Sequence, residues 1–139
     1  METRTKRPMY VAKMISGHAG LLEIEKRLTQ AAEMSQDHPK MKARLYLHSA
    51  FARAQLSRLQ ARLNSLQIKL TCVPGSYDFC GSLQTELLII SALVHAAHKL
   101  FSDLAEMTRS YGDLNTTWVC ELGHRELSDI GEDVERLAQ

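Results

Sequence analysis

Carboxylate and imidazole side chains sit at positions where helical spacing could bring them together. Glu25 and His48 lie either side of a turn-forming run, Ser35-Gln36-Asp37-His38-Pro39, and the midpoint between them is 36.5, inside that run. His98 and His124 have their midpoint at 111, on Tyr111 of the break Tyr111-Gly112-Asp113. If helices flank each turn, residues equidistant from it lie at one height, because a helix rises about 1.5 Å per residue. Glu121 stands three residues before His124, which makes a Glu-x-x-His pair on one helix. Carboxylates and imidazoles at one level of a helical bundle are the donor set by which such bundles hold paired iron or manganese ions. The metal-ligand candidates are therefore Glu25, His48, His98, Glu121 and His124. Glu25 falls on an apolar stripe, so it needs an internal partner, either a metal or a cation or hydrogen-bond donor such as His18 or a basic residue of the next helix.

The elements that must position these groups are helices. Val11, Met14, Leu21, Leu28 and Ala32 recur at spacings that place them on one helical face, predicting a first helix from Pro8 to about Met34. Leu45, Ser49, Ala52, Leu56, Leu59, Leu63, Leu66 and Leu70 alternate at four and three, predicting a second from about Lys40 to Leu70. The segment from about Ser82 to Ser110 contains the most apolar run of the chain, Glu86 to Phe101, and a fourth helix runs from about Asn115 or Thr116 to the C-terminus on the stripe Cys120, Leu127, Ile130, Val134 and Leu137. Two hairpins joined by a loop around residues 71–81 predict an all-α, up-down-up-down four-helix bundle. Residues 1–7 read as a polar arm and 8–139 as one domain.

Charge is unevenly spread along a chain whose formal net charge is only +1. From His38 to Tyr77 there is no acid and seven Lys or Arg; from Asp113 onward seven acids face Arg125 and Arg136. Lys40, Arg44, Arg58, Arg62 and Lys69 form a basic edge on the second helix. In an alternating bundle the second and fourth helices are diagonal, so their opposite charges would pair only between subunits. Interleaved aromatics and nucleic-acid motifs are lacking, so the basic edge reads as a solvated face. Cys72, Cys80 and Cys120 are odd in number and lack CxxC spacing, which argues against a disulfide framework or a zinc cluster. No secretory leader is recognisable and the apolar run is too interrupted for a bilayer span, which together predict a cytoplasmic protein. Glycine-rich phosphate loops and nucleophile elbows are likewise missing.

Glu25-Lys26-Arg27-Leu28, then His48, Gln55 and Arg58-Leu59, resemble the first helical hairpin of the YciF-like branch of the ferritin-like superfamily, over about residues 21 to 66. The resemblance implies metal-ligand roles for Glu25 and His48, with iron, manganese or zinc as the ion. Phe51 and Leu45 stand where that pattern has carboxylates. The third helix offers His98 where a Glu is needed. The expectation is accordingly a non-catalytic bundle without cofactor that acts through self-assembly, as a dimer, or through a protein partner. Leu88, Ile89, Ala92 and Ala96, on the outer face of the third helix, are its expected interface. A ferritin-like protein with a reduced His/Glu ligand set is the alternative.

Overall fold

A computed structural model describes residues 9–70 and 81–139. The arm at 1–7, Pro8, Cys72, Cys80 and the loop at 71–80 lie outside the described residues. Among the described residues there are four helices, α1 (Tyr10–Glu33), α2 (Pro39–Ser65), α3 (Leu83–Ser110) and α4 (Leu114–Ala138). α1 pairs with α2 and α3 pairs with α4, so the all-α bundle of two helical hairpins is as expected from the sequence.

The helix ends follow from local chemistry. Ser82 and Asp113 cap α3 and α4, accepting hydrogen bonds from the amides of Thr85 and Thr116 at 3.0 and 3.2 Å. Pro39 occupies the first turn of α2, where a missing N–H costs nothing. α3 stops in a turn with Gly112 at φ +80°. The amide of Asp113 returns to the carbonyl of Thr108 and that of Gly112 to Arg109, the two bonds of a Schellman cap. α2 ends in the same way, five residues before the apolar stripe does. Gln67 takes φ +63°, and the amides of Ile68 and Gln67 bond to the carbonyls of Leu63 and Asn64. Ile68, buried against the core, completes the motif's apolar contact.

The way the two hairpins associate positions everything else. α1 packs on α3 and α2 on α4, and these with the two hairpin contacts are the pairings among the described residues. α1 is therefore diagonal to α4, and α2 to α3. Arg27 of α1 meets Glu86 near the start of α3, while Gly17 meets Phe101 further along it, so α3 runs antiparallel to α1. Likewise Arg44 meets Asp133 and Arg62 meets Thr116, so α4 is antiparallel to α2. Directions consequently run up, down, down, up rather than strictly alternating, and α2 ends at the opposite end of the bundle from where α3 begins. Every neighbouring pair is antiparallel, and the α2–α3 connection is a crossover the length of the bundle. The placement of the charged helices is corrected with it. Basic α2 and acidic α4 are neighbours and pair within one chain.

Phe101 fills the middle of the core. It is 2% exposed, and its ring reaches from α3 between the two diagonal helices, against Gly17 of α1 and Gly123 of α4. α3 is also long and apolar enough to cross a membrane by length and composition, yet its inner face, from Leu87 through Ile90, Val94 and Phe101 to Leu104, belongs to this core.

Candidate functional site

The structure distributes the five candidate ligands over three seams. Between α1 and α2, Glu25 Oε2 accepts from Arg53 at 3.0 Å, from Ser49 at 3.2 Å and from Thr29 at 3.1 Å. The partner it required is thus a cation and two hydroxyls, among the kinds of partner expected of it. The turn-centred symmetry holds in height, since Glu25 reaches the residue beside His48. It fails in direction, because one residue along a helix turns a side chain by about 100°. His48 faces α4 instead, where its Nε2 lies 2.7 Å from Asp133 Oδ2.

That second seam is a charged clasp. Arg44 grips Asp133 with two donors, Nη2 at 2.6 Å and Nε at 2.9 Å, a bidentate geometry that strengthens the pair. The Asp133 carboxylate is 7% exposed. Hydrogen bonding from Arg44 pulls its pKa down to about 2, with His48 adding to the effect and burial opposing it. Further along, Arg58 pairs with Glu126, and Arg62 reaches Thr116 and Asp113 at 3.1 and 3.5 Å. Three of the five basic-edge residues are committed to α4, while Lys40 and Lys69 face solvent.

The third seam, between α3 and α4, collects the remaining three candidates. The rings of His98 and His124 stack with centroids 3.9 Å apart and planes at 27°, so these two meet as their symmetry about Tyr111 predicts. Glu121 shares a recess with His124 but pairs with Arg109. Among the described residues, no three His, Cys, Asp or Glu side chains lie where they could hold a metal ion together. The cause is visible in the core, where the Phe101 ring occupies the centre into which a ligand cage would project.

Other chemistry fares no better. His48 and Asp133 resemble a base and its orienting carboxylate, but no Ser, Thr or Cys side chain among the described residues is hydrogen-bonded to His48, and its Nδ1 is buried without a partner. Burial pushes the Cys120 thiol up to about 12, which removes it as a nucleophile near neutral pH.

Two buried carboxylates escaped the sequence reading. Glu86, fully buried, accepts from Arg27 at 2.7 Å across α1 and α3, and Arg27 also binds Glu23 at 2.8 Å. Asp133 is the other. Both sit on apolar stripes, Glu86 four residues before Ile90 and Asp133 three after Ile130, which is the signal that marks them. The expected interface residues lie outside the core. Leu88 is 54% exposed, Ala92 and Ala96 are exposed, and Ile89 is half-buried.

Comparison with known proteins supplies no relative: the chain matches no protein family, no curated protein and no solved structure.

Proposed function

We propose that the protein is a non-catalytic helical bundle that works by association, a second copy docking on the outer face of α3 to form a dimer. The observation that carries this reading is the absence of exposed charge on the first four turns of that helix. From Leu83 to His98 the only charged residue is Glu86, and it is buried. Depletion of charge around apolar residues distinguishes the core of an interface from ordinary surface. Leu88 there is a large apolar side chain left in water, flanked one and two turns on by Ala92 and Ala96, whose small side chains let a second helix approach closely. Static light scattering across micromolar concentrations tests the proposal. Wild-type protein is expected to form dimers, and Leu88→Glu to be monomeric with its helical circular dichroism spectrum unchanged. A wild-type chain that stays monomeric throughout overturns self-association.

Kinship with ferritin-like bundles gains support from one feature, the single long crossover between α2 and α3, which those folds share. The kinship we infer is architectural, with the centre filled by Phe101. Protein purified without tag or chelator is expected to be free of stoichiometric iron, manganese and zinc by mass spectrometry; bound metal that disappears in Glu25→Ala would overturn this.

A further inference from the structure

The α3–α4 seam carries titratable groups that the association reading does not use. Besides stacking on His98, His124 donates from Nδ1 to the His98 carbonyl at 3.2 Å, which ties the ring to the α3 backbone. His95, one turn before His98, lines the same groove, together with Ser91 on α3 and Ser128, Glu132 and Glu135 on α4. On the other side of the stack a recess holds Ser102, Glu106 and Arg109 of α3 with Glu121 and His124 of α4. Of the charged groups along the seam, Arg109 is taken up by Glu121, and Lys99 sits 3.8 Å from Asp103. Arg125 is exposed on α4. α1 and α2 contribute no residue to either recess.

Two imidazoles at van der Waals separation are compatible while at least one is neutral. With a proton on each, two positive charges face one another on opposing helices, and no carboxylate is hydrogen-bonded to either ring among the described residues. We propose that the His98–His124 stack is a pH-sensitive clasp, holding the outer edge of α3 to α4 at neutral pH and forcing it open as both rings become charged. The inference goes beyond the association reading and does not depend on it, since the seam lies within one chain.

Burial, then His124 and His95 as positive neighbours, set the His98 pKa below the ordinary imidazole value of 6.5. A lowered folded value means that the unfolded chain binds more protons as the pH falls. The clasp's contribution is then fully present above about pH 6.5 and is lost on acidification through that value. His18, lowered by burial on α1, acts with the same sign and has to be separated from it.

The test is an NMR titration of the six imidazoles between pH 8 and pH 5, with amide hydrogen exchange measured at both ends and corrected for its intrinsic pH dependence. His98 is expected to titrate below the ordinary imidazole value of 6.5, and His98→Phe keeps a ring in the stack while removing its charge. At pH 5 the amides of α3 and α4 flanking the stack are expected to exchange several-fold faster in the wild type, but not in His98→Phe or in His124→Gln, the second variant should the first fold poorly. His18→Gln is expected to keep the acceleration. A His98 midpoint at or above 6.5, or acceleration that persists unchanged in both seam variants, overturns the proposal.

Discussion

Asp133 is a single carboxylate on which two α2 side chains depend. Replacing it by Asn puts an N–H donor where one carboxylate oxygen accepted, so Arg44 loses its ion pair and one of its two acceptors, or His48 loses its anionic partner. Breaking a buried pair by deleting one partner costs about 3–5 kcal/mol, and Arg44 is half in water, so Asp133→Asn is expected to lower stability by about 2–4 kcal/mol in urea unfolding. Its depressed pKa also fixes a pH window. A carboxylate ionising near 2 when folded and near 3.9 when unfolded contributes fully above the higher value and loses that contribution as pH falls toward the lower one. Wild-type stability is therefore expected to drop between about pH 4 and pH 2 more steeply than that of Asp133→Asn. At this scale the sequence was legible in part. It identified Glu25 as an inward carboxylate needing a partner, but it counted Asp133 only as one of the run of acids from Asp113 onward, five others of which lie on α4.

At the scale of the helix, glycine and left-handed backbone decide more than propensity. A Cβ on Gly17 would stand 3.0 Å from Phe101 Cζ, whereas one on Gly20 meets nothing within 4 Å. Gly17→Ala is expected to destabilise by about 1–3 kcal/mol through overpacking, with Phe101→Leu relieving that contact. Gly20→Ala is expected to stabilise by about 0.5–1 kcal/mol, the usual gain in a helix interior. Chemical denaturation of the two variants side by side reads both signs. Helix existence and type were plain from periodicity. The end of α2 was not, because Leu66 and Leu70 continue the stripe while Gln67, a residue without a glycine's signature, takes the left-handed turn. Gln67→Gly is expected to stabilise the cap by about 1 kcal/mol in the same assay, since that conformation costs an L-residue about 1–2 kcal/mol.

For the whole molecule, the alternation of directions was the part sequence could not decide. The 17 residues between Ser65 and Leu83 reach at most about 56 Å when extended, and α2 is about 40 Å long, so the connection permits either a short return or a full crossover. What selects the crossover is long-range matching, Arg27 with Glu86, Arg44 with Asp133 and Phe101 with its two glycines, none of which local periodicity records. The fully buried Glu86 ties the hairpins together. Glu86→Leu alone is expected to cost about 3–5 kcal/mol, while Glu86→Leu with Arg27→Met is expected to recover most of that loss, because a well-packed apolar pair can replace a buried ion pair. A double variant no more stable than the single one would show that the charges themselves are required.

The crossover also imposes an order in time on a chain made from its N-terminus. The α1–α2 hairpin is complete long before its partners exist: Glu86 follows Arg27 by 59 residues and Asp133 follows Arg44 by 89. During that interval Glu23, one turn away, is the local carboxylate that holds Arg27. α3 then emerges carrying the most apolar surface of the chain, and its cover on one side, α4, is synthesised only after it. The nascent protein thus passes through a stage at which its greasiest helix is half dressed, and that stage is its window of greatest risk of aggregation.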